Sequence, residues 1–218
     1  MKIFLNDRII RFVNVLPVNT LPSDLVTEYL SGEQLRNSWE EFMRYEKYRN
    51  FIIYEPETTT GETLRAVDVF KTFFKVVQAA GGLVKNEKGE YLFIHRLGFW
   101  DLPKGKIEKK DIPGAGHSKT DLLSARAAAI REVQEETGVG KVLVTQELSS
   151  TWHIYIEKNT PILKQTRWFA MEADSGQSLK PQVSEGIFLV KWTKPEALHC
   201  ILSHTYASLR ELLVEVVF

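Results

Sequence analysis

The chain reads as an α/β protein in two parts, and three observations carry that reading. From Val76 onward, short strand-like runs follow one another, interrupted once by a long helical stretch that ends in REVQEETGV, Arg131–Val139. Before Val76, apolar runs and helical periodicities alternate as strand, helix, strand, helix. The chain has 218 residues, 44% of them hydrophobic, enough for one large domain or two small ones. The expected division puts residues 1–74 in a small N-terminal α/β domain of unassigned role and 75–218 in a second, larger domain.

In the first part, Lys2–Val15 alternates partly and reads as a strand or hairpin. Ser31–Lys47 has helix-forming composition, with apolar Leu35, Trp39, Phe42 and Met43 and with Ser31 placed to cap it. Phe51–Tyr54 reads as a short strand and the Thr-rich Glu55–Glu62 as a loop. Thr63–Phe74 carries Leu64, Val67, Phe70, Phe73 and Phe74 at helical spacing. So small a unit is near the lower limit for burying a core alone. It is therefore expected to pack on the second domain or on a partner subunit, as in a homodimer. Trp39, Phe42 and Tyr45 read as core.

In the second part, Val76–Val84 and Tyr91–Arg96 are joined by KNEKGE, a hairpin-like turn with Gly89. Further strands are expected around Lys141–Glu147, Thr151–Glu157, Gln165–Glu172 and Ile187–Trp192. Helices are expected after Pro195 and over Tyr206–Leu213.

The helix between these strands is the chemically informative element. At the helical pitch, Glu132, Glu135 and Glu136 fall within an arc of roughly 100°. Like charges at this spacing destabilise a helix, and a shared site makes full ionisation harder still. A multivalent cation reverses that sign, and hard oxygen ligands suit Mg²⁺. Leu122, Ile130 and Val133 form a stripe turned away from the acidic arc, while Ala125 and Ala128 are its small neighbours. Gly138 suits a left-handed cap. A solvated acidic face is the alternative reading.

REVQEETGV resembles the helical half of the Nudix box. That signature runs Gly, five residues, Glu, seven residues, then Arg-Glu-aliphatic-x-Glu-Glu-x-Gly-aliphatic. The upstream half resembles Phe99–Glu108, FWDLPKGKIE, with Gly105 in the place of the box glycine. The resemblance covers Val76 to Phe218 and departs from the family once. The box leaves thirteen residues between its Gly and its Arg, whereas twenty-five separate Gly105 from Arg131. Counted forward from Gly105, the box Glu falls on Asp111; counted back from Arg131, it falls on Leu123. The extra segment, IPGAGHSKT, reads as a surface loop. Asp111 or Asp121 then stands in as the partner of Arg131, with a helix N-cap as the other role for Asp121.

The resemblance implies a mixed β-sheet sandwiched between helices, and hydrolysis of a nucleoside diphosphate linked to another group. Water would attack phosphorus with Mg²⁺ or Mn²⁺ bound to the box glutamates; such metals neutralise phosphate oxygens and acidify bound water. Carried over, Glu132 and Glu136 are metal ligands, Glu135 is a third or water-mediated one, and the Gly105 carbonyl completes the shell. Arg131 would pair with a carboxylate. Outside the box, Glu185 in PQVSEG stands where relatives carry a further glutamate, as base or metal ligand, with Glu135 the other candidate base. Arg96, Lys104 and Lys106 are phosphate-contact candidates, and Trp100 and Tyr155 either stack on a base or pack in the core. His153 and Arg167 are expected near the cleft, and His117 in solvent.

The substrate expected first is a dinucleoside polyphosphate or nucleoside triphosphate. A diphosphoinositol polyphosphate comes second, since the chain balances 28 basic against 28 acidic residues and advertises no strongly basic cleft. A non-catalytic ligand-sensing module is the rival from another class. Isomerases of the family need a catalytic cysteine, and the single one here, Cys200, lies far downstream. The balanced charge points to neither nucleic acid nor an anionic membrane as partner. Asp7 and Arg8 break the first apolar run, so it does not read as a signal peptide. One cysteine excludes an internal disulfide and fits a reducing cytoplasm.

Overall fold

The computed structural model describes residues 1–56 and 65–217. Most of the loop expected over Glu55–Glu62, and Thr63 and Leu64 of the helix expected after it, lie outside the described residues. The chain forms two compact units, Met1–Val76 with Trp152–Lys164, and Val77–Thr151 with Gln165–Phe218.

In the first unit, the alternating KIFL and RIIRFV runs form an antiparallel hairpin, β1 (Lys2–Leu5) and β2 (Arg8–Val13). Its turn holds Asn6 at φ 53°, a left-handed conformation that asparagine tolerates. Next come β3 (Asp24–Glu28), α1 (Gly32–Arg44), β4 (Asn50–Tyr54) and α2 (Ala66–Lys71). β4 lies between β2 and β3, parallel to both. Ser31 caps α1, its hydroxyl accepting from the Gln34 N–H at 3.1 Å. At the other end of α1, the Arg8 guanidinium lies 3.7 Å over the Phe42 ring and donates to the Tyr48 carbonyl. The core is aromatic, with Phe70 between Trp39 and Phe74 at centroid distances of 5.2 and 5.1 Å. Tyr45 departs from the expected core set: it is the C-cap residue of α1 and stands exposed. Within this unit, strand Thr151–Glu157 runs parallel to β1 with His153 opposite Phe4, and Ile154 and Leu163 join the core. A hairpin from the middle of the chain thus supplies apolar surface that so short an N-terminal segment lacks.

The second unit begins with β5 (Lys75–Lys85), β6 (Tyr91–Arg96), β7 (Phe99–Asp101), β8 (Lys104–Lys106) and α3 (Leu122–Thr137). Then follow β9 (Leu143–Glu147), the later part of β11 (Thr160–Glu172), β12 (Ile187–Thr193), α4 (Leu198–Ser203) and α5 (Ala207–Val217), while the intervening β10 (Thr151–Glu157) is the strand that pairs with β1 in the first unit. Its sheet runs β12-β6-β5-β11, with β7 on β6, β8 on β5 and β9 on β11. Strand alternation sends successive side chains to opposite faces. Val84, Leu92, Ile94 and Phe169 meet Ala125, Ala128, Ala129 and Val133 of α3. Leu83, Phe93 and Trp168 meet Leu198, Ile201, Leu209 and Leu212 of α4 and α5. A sheet sandwiched between helices is the result, as expected.

Two details of α3 differ from the expectation. Leu122 is exposed in the first turn, and the buried face is made by Ala125, Ala128, Ala129 and Val133. Small side chains let the helix axis approach the sheet, which places the alanines in the core rather than beside a ligand. Gly138 takes the left-handed cap at φ 78°. No helix of the described residues is long and apolar enough to cross a membrane.

Deleting residues 1–75 removes the partners of Trp152, Ile154 and Leu163, which pack in the first unit's core. The Val76–Phe218 fragment is expected to aggregate or bind a hydrophobic dye where the full chain does not, as read by size-exclusion chromatography and dye fluorescence.

Candidate active site

Arg131 gathers the acidic helix face. Its Nε and Nη2 donate to Asp111 Oδ1 and Oδ2, both at 2.8 Å, a two-pronged charged pair. Its Nη1 donates to Glu132 at 2.7 Å and to Glu135 at 2.9 Å, and Nη2 also reaches the Lys106 carbonyl at 3.1 Å. These partners hold the Arg131 pKa above its ordinary value. Burial pushes the Asp111 carboxyl up, but hydrogen bonds from Arg131 and the Glu108 N–H outweigh it and hold the group below its usual range. Of the two aspartates weighed as partner, Asp111 is therefore the one, and the count forward from Gly105 is the right one. Asp121 stands at the N-cap position of α3, yet its carboxylate accepts from Ser118 N–H at 2.7 Å, not from the helix.

Glu136 lies deeper, at 2% exposure. Its Oε2 accepts from the Lys104 backbone N–H at 2.8 Å, and its Oε1 is 3.8 Å from Arg96 Nη1. Burial pushes its carboxyl up to about 7, against the pull of Lys104. Burial raises Glu132 too, despite the Arg131 bond. Lys104 itself pairs with Asp101 at 2.5 Å; burial lowers its ammonium pKa, but Asp101 and Glu136 prevail and raise it. Arg96 also reaches Glu185, at 3.3 Å, which ends a short 3-10 turn just before β12.

Gly105 brings β8 against α3. A Cβ added there would lie 2.2 Å from the Glu132 carboxylate, so any side chain would displace that group. The glycine is required by this close approach, and its backbone stays within reach of the acidic face.

Strand alternation separates the remaining candidates. Arg96 pairs with Phe99, and Ile94 with Asp101, so these four share a face; His95 and Trp100 share the other. Trp100 accordingly packs edge-on against His95 at 4.9 Å and against the α4–α5 core, not beside the carboxylates. Lys106 is exposed at the end of β8, next to Gly105. Tyr155 and His153 stack on each other in the first unit, 5.4 Å apart. Arg167 binds Glu147 and the Thr120 carbonyl, and so tethers the extra loop. His117 pairs with Asp121 within that loop. Two residues beside these groups were not singled out in the sequence. Asp101 was legible as a carboxylate three before Lys104. Tyr206 carried no local signal: it stacks on Phe99 at 5.0 Å, brought there by Trp100 N–H donating to the His204 carbonyl.

Among the described residues, no three acidic, histidine or cysteine side chains are gathered closely enough to hold a metal ion. The donor chemistry nevertheless fits a hard divalent cation. Glu132 and Glu136 offer oxygens whose charge burial disfavours, and the Glu132 carboxylate lies directly against the Gly105 backbone.

The raised Glu136 pKa has a sign for stability. In chelator, the folded chain holds that proton up to about pH 7, while an ordinary carboxyl at 4.5 has lost it. Stability therefore falls as pH rises between those values, by about 3 kcal/mol in all. Glu136→Gln should remove most of that fall and be the more stable protein at pH 8, in urea unfolding at pH 5 and pH 8.

Residues 75–214 match the model of the NUDIX domain. No curated protein matches the sequence. Solved structures of similar fold include the C. elegans Ap4A hydrolase in a binary complex. It is 22% identical, the match covering 64% of this chain and 93% of that one, with a TM-score of 0.43. The MutT protein from Methanosarcina mazei Go1 is 21% identical over 65% of this chain and 93% of its own, with a TM-score of 0.44. The NUDIX domain of Shewanella oneidensis NrtR, complexed with ADP ribose, is 17% identical over 71% and 100%, with a TM-score of 0.46. The domain match spans well over half the chain and includes every residue of the acidic site, so the chain belongs to the Nudix hydrolase family.

Proposed function

We propose that this Nudix protein is a metal-dependent pyrophosphohydrolase that cleaves a diphosphate linkage in a nucleotide-type substrate, a dinucleoside polyphosphate or a nucleoside triphosphate. The observation that carries the reading is the crowding of Glu132, Glu135 and Glu136 on one helix face, beside Arg96 and Lys104. Glu132 and Glu136 would hold Mg²⁺ or Mn²⁺, with Glu135 and the Gly105 carbonyl completing the shell. When bound, such an ion neutralises phosphate oxygens and lowers the pKa of bound water.

The rest of the chemistry falls to side chains. Arg96 and Lys104 stand next to Glu136 and present cationic donors to phosphate oxygens, and exposed Lys106 extends that row. Arg131 keeps Glu132 and Glu135 in register and takes no part in bond cleavage. Glu185 is the base in this reading. Its side chain is half exposed, and Arg96 bridges it to Glu136, so it stands open to a water at the acidic face. Glu135 is the alternative base, also partly exposed and held by Arg131 and Lys110.

A panel of pyrophosphate-containing compounds with Mg²⁺, products identified, tests the substrate class; release of a nucleoside phosphate is expected. Glu136→Gln should abolish turnover while the chain stays folded, and near-normal turnover at saturating Mg²⁺ would refute the assignment of the helix. Glu185→Gln should lower kcat by about 10²–10⁴-fold, with the Mg²⁺ needed for half-activity unchanged. A shift in the metal requirement alone would make Glu185 a ligand instead.

A further inference from the structure

We propose that a cavity of about 680 Å³ in the second unit is a second ligand site, for a dipolar molecule of dipeptide size. Lys85, Glu87, Lys141, Leu143, Glu172 and Asp174 are among the residues that line it, and all its walls belong to that unit. The cavity stands apart from the acidic helix face. Gly81 of β5 is the partner of Lys104, and Lys85 lies four residues further along the strand, roughly 13 Å at the rise of a strand.

The walls are braced. Three connections meet here: the β5–β6 turn, the link from α3 to β9, and the segment after β11. Glu87 accepts from the Ser175 N–H at 2.9 Å and also from the Ser175 hydroxyl. Gln177 Oε1 accepts from the Gly140 and Lys141 N–H groups at 2.8 and 3.0 Å, while its Nε2 donates to the Lys141 carbonyl at 2.9 Å. The Ala173 N–H donates to the Lys85 carbonyl at 3.1 Å. Asn86 is buried and closes the turn, its Oδ1 accepting from the Lys88 and Glu90 N–H groups. The shape is thus set before a ligand arrives, which lowers the ordering cost of binding.

Glu87 and Gln177 are used up in this bracing, but four charged ends are not. Among the described residues, Lys85, Lys141, Glu172 and Asp174 form no ion pair with each other or with a neighbour. Lys85 faces only the Tyr91 ring, 5.5 Å away, and Asp174 gives one oxygen to the Gly176 N–H at 2.6 Å. Opposite charges that line one cavity without closing on each other leave a place for groups of both signs. A polyphosphate would meet Glu172 and Asp174 with like charge, and a polyamine would meet both lysines so. A molecule with one ammonium and one carboxylate answers all four. Leu143 adds an apolar surface. It is the cross-strand partner of Glu172, so the two side chains leave the sheet on the same face, and it stands 59% exposed. The volume is that of a small-molecule site and exceeds the needs of a single ion. A dipeptide with one aliphatic residue supplies both charges and a group to cover Leu143.

The probe is glycyl-leucine, titrated calorimetrically into the full chain at low salt and without metal. It should bind saturably. N-acetylglycyl-leucine lacks the ammonium and glycyl-leucinamide the carboxylate, and each should bind roughly 10-fold more weakly. Glu172→Gln and Lys141→Met alter exposed side chains away from the acidic helix, and each should weaken glycyl-leucine by a similar factor, with folding checked by circular dichroism. Absence of saturable binding, equal binding of the three compounds, or undiminished binding to both variants overturns the site. None of these outcomes touches the hydrolase reading, which rests on the acidic helix.

Discussion

The acidic face of α3 exists because Arg131 makes it affordable. Three carboxylates and Asp111 crowd one region, and each like pair opposes the helix. A single guanidinium, 15% exposed, answers Asp111, Glu132 and Glu135 together, and also takes the Lys106 carbonyl. It thereby joins the helix, β8 and the turn that begins the extra loop. Arginine suits this position because its planar fork makes several directed bonds at once, which the point charge of a lysine does not.

Strand alternation does the remaining sorting. On one face of β6 and β7 lie Ile94, Arg96, Phe99 and Asp101; on the other lie Phe93, His95 and Trp100. Core and site are thus assigned by the same period-two rule, with apolar residues towards the middle of the strands and charged or aromatic ones towards the β6–β7 turn. Gly105 then brings α3 close enough for Glu132 to occupy the space of its missing Cβ.

Much of this was legible in the sequence, and the exceptions have physical causes. The helix ends were visible at Ser31 and Gly138, because a cap hydroxyl and a left-handed glycine act within a few residues of chain. The Arg131 partner was legible as a choice between two aspartates, and only the fold shows that Asp111 reaches it. Other features depend on distant neighbours. β3 went unread because DLVTE is short and mixed, with only Thr27 buried. Trp100 read either as a stacking ring or as core, and register with β6 decides for the core side. Ile154 and Leu163 gave no hint that their hairpin would share a core with the N-terminal segment, since that pairing is set by β1, far away in sequence. Tyr206 reaches the site through hydrogen bonds of its two predecessors, which no local pattern encodes.

The extra loop is held at both margins, by Arg131 on Asp111 and by Arg167 on the Thr120 carbonyl. Between those two anchors it forms turns and no regular element. Lengthening a loop whose ends are already fixed costs only about 0.6 kcal/mol per doubling. Insertions and deletions there would pass almost unnoticed by selection on the fold, whereas a shift of one residue on the Gly105 side would misplace Asp111. Divergence among descendants of this chain should therefore accumulate between the anchors, and a signature that demands fixed spacing across them would overlook kin that keep every catalytic group.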